Sequence, residues 1–358
     1  MIPIPKCSLF FILIWTTGQL LAEDPVFPPK STPQDVARWM RSTEWVRALD
    51  EHELVKLIPV QSGLRYVDCP HCDGGRQENQ LEWSPGTPNV ITCRFCKHQY
   101  PSSEYPDNHR LVVQTPTGKN ATYTYWENSN GYRHFFEARR ADEMRSYFAE
   151  RSRELALLYW TTKEESMARR SAIILDRFAQ VFPDWCYHYD YPHQQKEIFN
   201  GIVTPEKFRS GFRTSRWTWW AYSDIPVPLI EAYDLLRMSR AFDDLTREQG
   251  IDVRKRIETD LIRNACEQVI ANRDDLTNMS PRAWAGLVLA GRIIQEPRYV
   301  HESIRRLERL IESKFFYDGA WSEGSPDYGR QSLNGLENVI ELVRGYSDPD
   351  DYQTAGQG

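Results

Sequence analysis

Four cysteines constrain this chain more than any other feature. They fall as Cys69-Pro-His-Cys72 and Cys93-Arg-Phe-Cys96, two CxxC pairs separated by twenty residues. A CxxC bend puts two thiolates on one side of a tight turn, and two such knuckles close a tetrahedral four-cysteine zinc site. Gly74 and Gly75 after the first knuckle permit the turn, and Leu81-Glu-Trp and Asn89-Val-Ile-Thr92 read as short strands between the pairs. The segment is therefore expected to be a zinc ribbon. Disulfides are the competing reading in an exported protein, but the paired spacing fits zinc better. A site with four protein ligands has no open position, so the expected ion is structural and not catalytic. His71 and His98 flank the knuckles and can either replace a ligand or face solvent. Cys186 and Cys266 sit in no motif and read as buried thiols.

Helical periodicity surrounds this module. Val36, Trp39, Met40, Trp45, Val46 and Leu49 recur at three- and four-residue steps, which predicts a helix over 34–57. Leu111–Thr115 and Thr122–Trp126 predict a hairpin with its turn at Thr117–Asn120. From Glu137 onward helices are expected over 137–161, 164–180, 226–239, 247–272, 281–294 and 298–315, with one more after Ser325. Helices with apolar faces and aromatic-rich connections fit an α/α toroid or a helical solenoid. No 34- or 40-residue repeat is visible, which weakens the solenoid. The fold class is thus mainly α with a small inserted zinc-ribbon β module. Its expected divisions are a signal segment (1–22), an N-terminal helical segment (23–62), ribbon and hairpin (63–128), a helical domain (129–346) and an unstructured tail (347–358).

The first residues carry one positive charge, Lys6, then the apolar run Ser8–Trp15 and a small residue, Ala22, before Glu23 and Asp24. This pattern reads as a secretory signal cleaved after Ala22. The run is shorter than the roughly 20 apolar residues of a membrane span. The expected protein is exported, periplasmic or extracellular, and free of the membrane after cleavage. Beyond Ala22, 43 basic residues face 50 acidic ones, an excess that argues against a nucleic-acid partner. A local basic cleft for a polyanionic sugar remains compatible with it. Twelve tryptophans suit either sugar stacking or a large helical core.

Three loops and one helix start carry candidate chemistry. Trp185–His193 holds His188 and His193 among four aromatics, as a sugar-binding loop or as a packed connection. Arg213–Tyr222 contains Arg216, Trp217, Trp219, Trp220 and Tyr222. It offers either an arginine fork with stacking faces or a buried aromatic plug with an arginine laid on it. Asn278 stands just outside a helix start built from Ser280 and Pro281, near Arg282. In Asp318-Gly-Ala-Trp-Ser-Glu-Gly-Ser-Pro-Asp-Tyr328-Gly-Arg330, Ser325 can cap, Pro326 fits the first helical position, and Leu333, Leu336, Val339, Ile340 and Val343 form the stripe that follows. Tyr328 then lies at the positive end of a helix dipole, which favours phenolate, with Glu323, Asp327 and Arg330 beside it. An ordinary surface tyrosine on a glycine-rich turn is the alternative.

The stretch Asp318–Tyr328 resembles the segment that supplies the catalytic tyrosine of heparinase II/III-like polysaccharide lyases. That family carries an Asn-His pair some fifty residues upstream; this chain has Asn278 followed by Met279. The resemblance covers roughly residues 130–346. It implies an α/α toroid whose cleft holds an acidic, uronate-containing polysaccharide such as alginate or a glycosaminoglycan. It also implies that the chain stops short of a C-terminal β-sandwich. The expected activity is β-elimination, with Tyr328 as proton-transfer group and Asn278 with Arg216 or Arg282 neutralising the C5 carboxylate. Two other readings stand beside it: a glycan-binding protein without turnover, and a toroid glycoside hydrolase using paired carboxylates from Glu323, Asp327 and Asp224.

Overall fold

The computed structural model describes residues 24–77, 79–201, 214–220, 224–271, 276–350 and 352. The expected signal segment and Tyr222 lie outside these residues. About half of the chain is helical and the sheets are small, so the fold is mainly α. No helix among the described residues is long and apolar enough to cross a membrane.

The N-terminal helical segment is three short helices, α1 (Pro33–Ser42), α2 (Glu44–Ala48) and α3 (Glu51–Leu57). The continuous periodicity over 34–57 is broken by capping. Thr32 and Asp35 form a capping box at α1, and Asp50 with Glu53 forms a second one that starts α3. Leu49 and Asp50 are both extended between them, and Asp50, whose side chain caps α3, has the non-helical backbone that an N-cap requires.

Two antiparallel three-stranded sheets follow. The ribbon sheet has the order β1 (Leu81–Glu82), β2 (Ile91–Cys93), β3 (Gln99–Tyr100), with Leu81 opposite Cys93. The second sheet is β4 (His109–Gln114), β5 (Asn120–Glu127) and β6 (Arg133–His134), with Val112 opposite Thr122 across the expected turn. Their inner faces share one core, which includes Leu64, Val67, Leu81, Ile91, Tyr100, Tyr123, Phe135 and Phe136.

A larger core lies among the helices. The long α4 (Phe136–Thr162) is central, and α5 (Glu165–Val181) and α6 (Val227–Leu235) pack on it. The segment predicted as one helix over 247–272 divides in two. α7 (Ala241–Gln249) ends at Gly250, which is left-handed at φ 69°. Asp252 caps a new start, from which α8 (Val253–Arg256), a π-helical stretch Ile257–Arg263 and α9 (Asn264–Ala271) run without a break. α10 (Ser280–Ile293) then packs against both α11 (Pro297–Lys314) and α12 (Pro326–Val343).

The loop after α5 holds a third sheet that periodicity did not show. It is β7 (Tyr187–Tyr189), flanked by β8 (Glu197–Phe199) and β9 (Thr214–Ser215). The C-terminal tail, expected to be unstructured, is partly docked. Asp348 lies 2.9 Å from Nε2 of His301 on α11, and the Tyr352 ring stacks on the same imidazole at 5.3 Å.

Candidate metal centre and catalytic surface

The four ribbon cysteines converge. Sγ of Cys69 lies 3.7 Å from that of Cys96 and 3.9 Å from that of Cys72, and Cys72 lies 3.8 Å from Cys93. All four sulfurs fall within 4.8 Å of one another, and among the described residues none forms a disulfide. Ligand bonds of about 2.3 Å in a tetrahedron require sulfur–sulfur edges of about 3.8 Å, so the arrangement suits a metal ion. The loops are shaped around it. The Gly75 N–H points at Cys72 Sγ at 3.3 Å, and a Cβ at Gly75 would meet Cys69 Cβ at 2.2 Å. Lys97 adopts φ 63° to turn the second knuckle, and Tyr100 Oη sits 2.8 Å from Cys69 Sγ. Burial, only partly offset by the Tyr100 hydroxyl, pushes the Cys69 thiol up to about 12, so a thiolate there is favoured by a cation beside it.

Asn278 and Tyr328, fifty residues apart in sequence, come onto one surface. α10 and α12 cross closely because position 335 is glycine: a Cβ there would stand 2.7 Å from Pro281 Cβ. This approach lets Asn278 Nδ2 donate to Gln331 Oε1 at 2.8 Å. Gln331 lies three residues after Tyr328 and hence on the same helix face. Tyr328 is the third residue of α12, its backbone N–H capped by Ser325 Oγ, and its ring is about half exposed (47%). Arg282, in the first turn of α10, is exposed. Glu323 accepts from Trp321 Nε1 at 2.8 Å, and Arg330 pairs with Asp327 at 3.0 Å in full solvent. Gln331 is the member of this group that the motif did not suggest; its helical spacing from Tyr328 is the only signal for it.

The other candidate residues lie in a different neighbourhood, between α4, α9 and the third sheet. Arg216 is 2% exposed. Its guanidinium donates to Gln268 Oε1 at 2.7 Å, to Asn264, and lies 4.1 Å over the Phe182 ring. Backbone N–H groups of Arg216, Trp217 and Thr218 all donate to the Asp224 carboxylate. Trp217 is buried and stacks on Trp185 at 5.7 Å. Of the two readings of this loop, the buried plug describes Arg216 and Trp217. Trp219 and Trp220 are half-buried, and Trp219 meets Tyr66 edge-on at 5.0 Å. A buried Asp224, pushed up to about 6 by burial against its N–H donors, holds a loop and is not a surface acid for hydrolysis.

His188 is likewise internal. It is 1% exposed on β7, and among the described residues neither ring nitrogen has a hydrogen-bond partner. Burial pushes it down to about 3, with the Asp142 charge opposing, so it is neutral at ordinary pH. Beside it stands a charge cluster that sequence reading missed. Asp142 pairs with Arg139 at 2.8 Å and with Arg145, and burial there is outweighed by Arg145, Arg139 and Arg65, which keep its carboxyl below the usual range. Asp190 accepts from the N–H groups of Arg65 and Tyr66 and lies 3.7 Å from Lys196 Nζ; burial still lifts it to about 6. The i,i+3 pattern Arg139–Asp142–Arg145 was the available signal. His193 is exposed with φ 57°, at the turn between β7 and β8. Comparison with family models, with curated proteins and with solved structures finds no match for this chain.

Proposed function

We propose that this chain is an exported polysaccharide lyase on an α/α-toroid scaffold, that its ribbon holds zinc on Cys69, Cys72, Cys93 and Cys96, and that it cleaves uronate-containing polysaccharide by β-elimination. The observation that carries this reading is the Asn278–Gln331 hydrogen bond, one helical turn from an exposed Tyr328. A carboxylate ligand and a proton-transfer group on one surface are what the reaction requires. The uronate C5–H is weakly acidic, and its removal develops charge on the carboxylate, which needs donors aimed at it. Asn278 and the exposed Arg282 supply them; Arg216 is committed to the core. Tyr328 Oη, exposed in the first turn of α12, is the base that takes the C5 proton. The electrons of that bond form C4=C5, the C4–O bond breaks, and the phenol returns its proton to the leaving oxygen. Zinc has four protein ligands in this reading and contributes folding free energy only.

Met279, a half-buried thioether where the resemblance calls for histidine, favours a second reading: a glycan-binding protein without turnover. The test is incubation of the purified chain with a panel of uronate polymers. A lyase raises ultraviolet absorbance through its unsaturated product. New reducing ends without that rise indicate hydrolysis, and retention of polymer without either product indicates binding alone.

A further inference from the structure

The two ribbon knuckles bring together a second set of ligand types on their outer side. His71 lies inside the first CxxC, and His98 follows the second by two residues. Their imidazoles stack with centroids 4.5 Å apart and planes 30° apart. Glu104 reaches the same place from the loop after β3, its Oε2 4.0 Å from His71 Nδ1. One ligand atom from each of the three residues falls within 4.8 Å of the others. Polar neighbours steady both rings: Ser102 Oγ is 3.1 Å from His98 Nε2, and Tyr105 Oη is 3.4 Å from His71 Nδ1. The His71 and Glu104 side chains are 42% and 58% exposed, so an ion can arrive from solvent and small rotations can draw the donors in.

We propose that His71, His98 and Glu104 form a second metal site on the ribbon, open to solvent and suited to a borderline divalent cation such as Zn2+, Co2+ or Ni2+. Two imidazoles and one carboxylate match those ions and not Mg2+ or Ca2+, which take oxygen ligands. Ligand bonds of about 2.0–2.2 Å place donors roughly 3–4 Å apart, so donors that lie within 4.8 Å of one another need to close by at most about 1–2 Å. Three protein ligands leave at least one position for water or an anionic group, unlike the closed tetrathiolate centre. The second site depends on the first, because the knuckles that carry His71 and His98 are held by those thiolates. It does not depend on the lyase reading.

The test adds Zn2+ or Co2+ to the full-length chain already carrying one equivalent of metal. Wild type should take up a second equivalent, bound at least 100-fold more weakly than the first in chelator competition. Its Co2+ spectrum should lack the thiolate charge-transfer bands of the four-cysteine centre. His71→Ala should abolish the second equivalent, and Glu104→Gln, a substitution of an exposed side chain, should weaken it about 10-fold. Both should retain the first. A wild type that stops at one equivalent would overturn the proposal. So would a second equivalent with thiolate bands, or one unchanged in both variants.

Discussion

Tyr328 presents its phenol to solvent while its backbone is tied down by Ser325, so the hydroxyl can be removed without disturbing the helix start. Tyr328→Phe is expected to lower turnover by about 10²-fold or more, the scale of a lost general acid–base group, and to leave the melting temperature unchanged. Steady-state kinetics and a melting curve on one preparation check both halves; full activity in the variant removes the proton-transfer role. His188 offers a different residue-scale test. Its ordinary value is 6.5 and its folded value about 3, so between these limits the unfolded chain binds a proton that the folded protein refuses. That difference lowers stability as pH falls below about 6.5. Asp190 and Asp224 act in the opposite sense, since carboxyls raised to about 6 from 3.8 weigh on the fold above pH 6 and are relieved below it. His188→Leu removes only the first effect. Relative to its own value at pH 7, the variant should therefore be more stable than wild type at pH 5 by about 2 kcal/mol, measured by urea unfolding. An identical pH dependence in the two proteins would contradict the buried neutral state.

At the scale of elements, two contacts organise the candidate sites. The first is the crossing of α10 and α12 at Gly335 and Pro281. Gly335→Val drives a branched side chain into that contact, and overpacking of this kind typically costs about 1–3 kcal/mol. The variant should lose stability and, by separating Asn278 from Gln331, turnover as well; a fully active, fully stable variant would mean that the crossing does not position the surface. The second is the ribbon. Cys93→Ser should reduce bound metal and lower the melting temperature by several degrees, and a strong chelator should do the same to wild type. Metal-free wild type with thiols oxidised in pairs would replace zinc by disulfides. Much at this scale was legible in the residues. The ribbon, the β4–β5 hairpin and the boundaries of α4, α5, α10, α11 and α12 follow from spacing, capping residues and apolar stripes. The division at Leu49 and the break at Gly250 follow from caps that were present in the sequence but outweighed by the longer apolar periodicity. β7 escaped because Tyr187-His-Tyr189 is too short to distinguish alternation from an aromatic loop.

Across the whole molecule, distant chain segments are held by buried carboxylates. Asp234 on α6 accepts from the N–H groups of Val26 and Phe27, both at 3.0 Å, and anchors the segment that leads into α1. The Arg292 guanidinium lies 4.8 Å over the Phe27 ring and adds a second hold on the same segment. Asp234→Ala leaves two N–H groups without their acceptor. Limited proteolysis should then cut N-terminal to Thr32 much faster than in wild type, while the helical core stays protected; equal cutting rates would show that Asp234 does not restrain this segment. The docking of Asp348 and Tyr352 against His301 is the corresponding hold near the other end.

Local chemistry alone determined the candidate metal ligands, because a CxxC turn sets its two thiolates by covalent proximity. It also determined most helices, because periodicity and capping act over a few residues. The place of Tyr328 in the first turn of its helix belongs to the same class. Tertiary structure decided which side chains are available for chemistry. Arg216, Trp217 and His188 have the composition of a sugar-binding wall, yet packing among Phe182, Trp185, Gln268 and the Asp142 cluster places them inside. Exposure is set by what covers a residue from elsewhere in the chain, and no run of neighbours encodes that. The meeting of Asn278 with the Tyr328 helix depends in the same way on two helices crossing at a single glycine.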